Sequence, residues 1–172
     1  MTNRIGITIL VTLVSLLAGL SLRAEDNELL PVEGIKHYEM LVRQYPSEAS
    51  YHNALGYYYL KASDFQKAEH HFLKAIQLDG SFATGHNNLG VLYLQKGLLD
   101  LAENEFRQAV ELDSNYSKAL YNLAVVLFHK KQYFEAANNY RRVRALDAEY
   151  VEQRNNSTKI KAALEQLAKE KR

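Results

Sequence analysis

The chain has no cysteine and no tryptophan, and its 172 residues include only two prolines and eight glycines. Without cysteine there are no disulfides, no thiolate chemistry, no cysteine-ligated zinc and no lipid-modified N-terminal cysteine. An oxidising compartment fits that absence. The glycines are scattered, so no glycine-rich phosphate loop is present. An excess of one charge is lacking too, with 21 basic residues against 20 acidic ones. The only charges in the first 24 positions are Arg4 and Arg23, so the rest of the chain is close to neutral. Nothing in that balance calls for nucleic acid or an anionic membrane surface. Neither a nucleophile–base pair nor a recurring carboxylate pair in an apolar setting can be read. The expectation is a protein without catalytic residues, cofactor or metal.

What the chain does have is repetition. One stretch reads His86-x2-Leu89-Gly90-x2-Tyr93, then Ala102-x3-Phe106, Ala109 and Leu112-Asp113. Thirty-four residues earlier the same pattern is His52-x2-Leu55-Gly56-x2-Tyr59, Ala68-x3-Phe72, Ala75 and Leu78-Asp79. Thirty-four residues later it is Leu120-x2-Leu123-Ala124-x2-Leu127, Ala136-x3-Tyr140, Val143 and Leu146-Asp147. A fixed period without insertions marks a helical solenoid, with full repeats at 49–82, 83–116 and 117–150. Three- and four-residue steps share a helix face, so Leu55, Gly56 and Tyr59 lie together on a first helix, and Ala68, Phe72 and Ala75 on a second. Gly or Ala at 56, 90 and 124, facing Ala68, Ala102 and Ala136, lets the two backbones approach closely.

These motifs resemble the tetratricopeptide repeat (TPR) family, whose pattern is W-x2-L-G-x2-Y…A-x3-F…P. The resemblance implies an all-α fold, a right-handed superhelix of antiparallel helix pairs. Departures are visible: the Trp place holds His52, His86 or Leu120, and the Pro place holds Gly80, Ser114 or Ala148. Gly80 is expected to end its helix in a left-handed cap.

Residues 1–24 read as a hydrophobic targeting helix outside the fold. Arg4 precedes an uncharged, mostly apolar run from Ile5 to Leu22, then come Arg23 and the acids Glu25, Asp26 and Glu28. The layout suits a cleavable signal peptide. It suits an uncleaved anchor as well, since 18 residues at about 1.5 Å each approach the roughly 30 Å hydrocarbon core. In either case the body of the protein is exported, with the bacterial periplasm as the expected compartment. Residues 25–31 form a linker. Residues 32–46 form a half repeat, with Gly34, Tyr38 and Leu41 at second-helix positions and Pro46 at the Pro position. Residues 151–172 carry a stripe of Ile160, Ala163, Leu164, Leu167 and Ala168 and are expected to be a capping helix. Ser47, Asp64, Ser81 and Ser114-Asn115 are candidate helix starts. Leu98 and Leu101 are expected to pack under the neighbouring repeat, with Asp100 and Glu103 as a capping box.

Six histidines raise a metal reading. His52 and His86 share one repeat position, but no acid or cysteine in register completes the three or four ligands a metal needs, so both are expected to pack. Adjacent His70 and His71 point apart on their helix. The sequons at Asn115, Asn155 and Asn156 are read as chance.

The TPR resemblance implies a concave groove lined by the first helices. Counted onto this chain, its contact residues are Asn53, Tyr57, Asn87, Asn88, Val91, Lys118, Tyr121, Asn122 and Val125. Amides there donate to and accept from a peptide backbone, and tyrosines supply amphipathic contact area. Of the five polar residues that clamp a C-terminal carboxylate in chaperone-binding relatives, Asn88 and Lys118 match. Asn53 stands for Lys, Tyr57 for Asn and Asn122 for Arg, which argues against a true clamp. The expected function is a non-enzymatic adaptor that holds a peptide segment or helix of an envelope protein. An assembly chaperone and a self-associating structural protein are the alternatives.

Overall fold

The computed structural model describes residues 30–154 and 158–169. The expected targeting segment at 1–24, most of the linker and the sequons at 155 and 156 lie outside the described residues. The described chain is all helix: α1 (Pro31–Gln44), α2 (Ala49–Lys61), α3 (Phe65–Leu78), α4 (Ala83–Gln95), α5 (Leu99–Leu112), α6 (Ser117–His129), α7 (Tyr133–Leu146), α8 (Ala148–Gln153) and α9 (Thr158–Lys169). Among the described residues no helix is long and apolar enough to cross a membrane.

The turns inside the pairs follow one recipe. Ser63, Gly97 and Lys131 occupy equivalent positions and all have positive φ, at 61°, 74° and 63°. The next residue's N–H reaches back to close each first helix, Asp64 to Tyr59, Leu98 to Tyr93 and Gln132 to Leu127, all at 2.9 Å. This is a left-handed cap, and only the middle repeat uses the residue type that adopts it without steric cost. Gly80 is not among the residues with positive φ, contrary to expectation. Between pairs the turn is held by the recurring Leu-Asp aspartates. Asp79 Oδ1 accepts from the backbone N–H of Ser81 at 2.9 Å, and Asp113 Oδ1 from that of Asn115 at 3.0 Å. Asp147 does the same for Tyr150 at 2.8 Å and so caps α8. Asp64 caps α3 through Lys67 N–H as expected. Ser47, Ser81 and Ser114 are not N-caps; Glu48, Phe82 and Tyr116 hold those positions without a side-chain capping bond.

Within each pair the small residues do what their spacing implied. A methyl added at Gly56 or Gly90 would stand 2.7 or 2.6 Å from the ring of Phe72 or Phe106. Those rings are fully buried, as are Ala68, Ala102, Ala136 and Tyr140. First helices α2, α4 and α6 touch one another directly, while the second helices wedge mainly between successive first helices. The stack therefore curves, with the first helices on its inner side. Ion pairs tie successive repeats along the other edge. Glu69 takes Lys96 at 2.9 Å, and Glu103 takes Lys130 at 2.6 Å, with Arg107 bridging Glu103 and Glu135. Asp100 also binds Lys130, so the expected capping box with Glu103 does not form. Leu98 and Leu101 are about half exposed rather than packed away.

At the N-terminal end, α1 lies on α2 as a lone second helix. Gly34 is buried against Tyr58, whose ring stacks on Tyr38 at 5.5 Å. The C-terminal end departs from the expected single capping helix. The short α8 comes first, and α9 then packs on α7 and α6, the place a fourth first helix would take. Leu164 is its fully buried anchor. Its polar face is partly turned inward, where Tyr140 donates to Glu165 at 3.2 Å and Arg141 donates to the Ala168 carbonyl at 2.8 Å.

Candidate peptide groove

The inner face carries a chain of amides. Asn122 Nδ2 donates to Asn87 Oδ1 at 3.0 Å, Asn87 Nδ2 to Asn88 Oδ1 at 3.3 Å, and Asn88 Nδ2 to Asn53 Oδ1 at 3.0 Å. The bonds between helices join residues 35 apart, one period plus one, so the ladder runs diagonally across α6, α4 and α2. Asn53, Asn87 and Asn122 are largely buried and Asn88 is part-exposed. Each amide retains donor or acceptor capacity beyond the ladder, because an amide offers two N–H groups and two lone pairs. Beside the ladder runs a second row, Tyr57, Val91 and Val125, all half-buried against the core. Lys118, at the start of α6, is exposed and has no ion-pair partner among the described residues. Tyr57 holds Lys61 over its ring at 5.7 Å.

Tyr121 does not join this surface. It is fully buried, its ring edge-on to Tyr150 at 6.0 Å, with the Arg154 guanidinium 6.0 Å from its centroid. Arg154 also donates from Nε to the Tyr150 hydroxyl at 2.8 Å. The Tyr121 hydroxyl is buried without a hydrogen-bond partner among the described residues, and burial pushes its pKa up. The physical reason is α8, inserted between the third repeat and α9: its Tyr150, with Arg154 just beyond it, lies against the Tyr121 ring and covers it. Tyr121 occupies the repeat position of Asn53 and Asn87, so the ladder stops there. The groove residues that share one open surface are thus Asn88, Tyr57, Val91, Val125 and Lys118, with the buried amides as their floor.

The histidines pair within repeats rather than between them. His52 Nδ1 lies 3.2 Å from His71 Nδ1, and His86 Nδ1 lies 2.8 Å from Glu105, so position 52 or 86 meets the residue 19 further on. His52 Nε2 lies 3.1 Å from the Pro46 carbonyl, which only accepts, so Nε2 carries the proton and His71 Nδ1 donates to His52 Nδ1. His71 also stacks on Tyr59 at 5.6 Å. Burial, aided by His70 and His52, pushes the His71 pKa down to about 4. His86 does have an acid beside it, which the sequence register had not suggested. Among the described residues no three histidine or carboxylate side chains converge as a metal site.

With the helix pairs, the close Gly–ring approaches and the inner amide row in place, comparison with known proteins is decisive for the family. A profile described as tetratricopeptide repeat matches residues 33–83, 53–117 and 87–151. The chain belongs to the tetratricopeptide repeat family. Solved TPR structures share its fold. The TPR domain of Arabidopsis OM64 superposes with a TM-score of 0.60 at 23% identity, over 70% of this chain and 94% of that one. MamA gives a TM-score of 0.62 at 17% identity, over 78% of this chain and 86% of that one. The first TPR of Spaghetti (RPAP3), bound to the HSP90 peptide SRMEEVD, gives 0.61 at 21% identity, over 70% of this chain and 90% of that one. No curated protein sequence matches. What sequence reasoning missed in this TPR module is the covering of Tyr121 and the His52–His71 pair.

Proposed function

We propose that the protein is a non-enzymatic adaptor that holds an extended peptide segment or helix of another protein in the inner groove. The observation that carries this reading is the amide ladder, buried except at Asn88, which reaches the surface beside Tyr57, Val91 and Val125. Backbone amides of an extended segment need both donors and acceptors, and Asn88 at the surface offers both. The half-buried tyrosine and valines supply apolar contact, and Lys118 supplies one charge for an acidic group of the ligand. A TPR domain of the same fold is solved with a peptide bound, which supports the mode. With Tyr121 covered by Tyr150 and Arg154, the groove favours a short segment over α2, α4 and the open positions Lys118 and Val125 of α6.

The partner belongs to the cell envelope on this proposal, because the apolar run at 5–22 directs export, whether residues 1–24 are removed or stay as an anchor. The test is recovery of partners from crosslinked envelope extract by the tagged chain and by its Tyr57→Ala, Asn88→Ala, Lys118→Ala variant. Partners held by the first and lost from the second support the groove. Equal recovery by a folded variant refutes it.

A further inference from the structure

The C-terminal end of the stack carries a second concavity, of about 1150 Å³, between the start of α7 and the end of α9. Its walls are Tyr133, Phe134, Ala137, Leu167 and Ala168, and Phe134 is 63% exposed. This surface is not simply where repeats stop. Positions 69 and 103 are glutamates that receive Lys96 and Lys130 from the next repeat. The equivalent position in the third repeat is Ala137, and the position of Asp100 is Phe134. The acidic socket that accepts another repeat has been replaced by an apolar one. Its rim is basic. Lys131 and Lys169 are exposed and unpaired among the described residues, while the carboxylate of Glu135 is engaged by Arg107 at 2.7 Å.

One run of this chain has the complementary chemistry. Glu25, Asp26 and Glu28 are followed directly by Leu29 and Leu30, with no basic residue between Arg23 and Lys36. Leu30, where the described chain begins, is 64% exposed. We propose that the Glu25–Leu30 run of one copy docks in the α7–α9 pocket of another, leucines against Phe134 and Ala137 and acids against Lys131 and Lys169. The same copy's run cannot reach. It is tied to α1, at the opposite end of three stacked helix pairs, and six residues span at most about 21 Å. Three pairs spaced about 10 Å apart exceed that. The contact joins two different surfaces, so it propagates head to tail rather than closing as a symmetric dimer. It uses neither the amide ladder nor Lys118 and is independent of the groove.

The cysteine-free chain allows a direct test. Full-length Glu28→Cys and Gln132→Cys chains are mixed and treated with a short bismaleimide. The expected result is a crosslinked dimer at least tenfold more abundant in the mixture than with either chain alone. Phe134→Lys in the Gln132→Cys chain removes the dimer, and the same change in the Glu28→Cys chain leaves it, because that copy's pocket is not used. Phe134 is exposed, so the substitution is expected to leave the melting temperature unchanged. If it does not, Lys131→Glu with Lys169→Glu in the Gln132→Cys chain replaces it, and again the dimer is lost. A dimer from one chain alone, no dimer in the mixture, or a dimer indifferent to these changes overturns the proposal. Substituting Tyr57 and Lys118 leaves the crosslink intact and so separates this contact from the groove.

Discussion

His71 couples folding to pH. In the folded chain its pKa is pushed down to about 4, mainly by burial. In the unfolded chain it titrates near 6.5. Between those values the unfolded chain binds the extra proton, so stability is full above about pH 6.5 and falls as pH drops towards 4. The whole shift, about 2.5 units, corresponds to roughly 3.4 kcal/mol, and about 2 kcal/mol of it is lost by pH 5. Part of the ring is exposed, so these figures are upper limits. His52 adds to the loss in the same direction, its pKa lowered by burial against the opposing Pro46 carbonyl. A proton on His52 Nδ1 would face the His71 N–H across 3.2 Å. Carboxylates titrate in the same range, so the informative quantity is a difference. The assay is urea unfolding at pH 7.5, 6, 5 and 4.5 for the wild type and for His71→Gln, which keeps a donor for His52. The wild type is expected to lose more than the variant between pH 7.5 and 5, by up to about 2 kcal/mol. Parallel losses would refute the argument that His71 is held neutral by the α2–α3 interface.

Two further outcomes follow from packing and from the ladder. Gly90→Ala gains up to about 1 kcal/mol of helix propensity, but its methyl meets the Phe106 ring at 2.6 Å. A net loss of about 1 kcal/mol by urea unfolding is expected, since overpacking costs about 1–3 kcal/mol. Adding Phe106→Leu should remove the clash, and a stabilised single variant would show that the ring yields freely. Asn122→Ala leaves the Asn87 acceptor without its donor, so a loss of about 1–2 kcal/mol is expected by the same measurement. No change in stability would mean that water replaces the ladder, placing Asn122 at the wet surface of the groove.

The 34-residue spacing of small and aromatic residues determined the fold by itself. Close approach at Gly56 and Gly90 and filling by Phe72 and Phe106 depend only on which residues share a helix face, and sequence spacing sets that. At α1 the same spacing sets Gly34 against the Tyr58 ring and stacks Tyr38 on it. Local choices among competing turns were less so. The left-handed position is 63, 97 or 131 rather than Gly80, since the tight turn inside a pair demands it whatever residue is there. Asp79 and Asp113 hold the turns that serines were expected to cap.

The groove positions could be counted on the sequence, but their state could not. Whether an amide faces a ligand or a neighbouring amide depends on distances between helices one period apart, and those are set when the pairs stack. Tyr121 is the sharpest case. Its repeat position marks it as groove surface, yet α8 and Arg154 cover it, because the chain resumes stacking only at α9. The His52–His71 pair and the α7–α9 pocket arise in the same way, from residues that lie far apart along the chain or at an end where the pattern fades. The sequence determined which faces are apolar and how often they recur. Only the tertiary structure decided which polar side chains meet, because that depends on how one helix pair sits against the next.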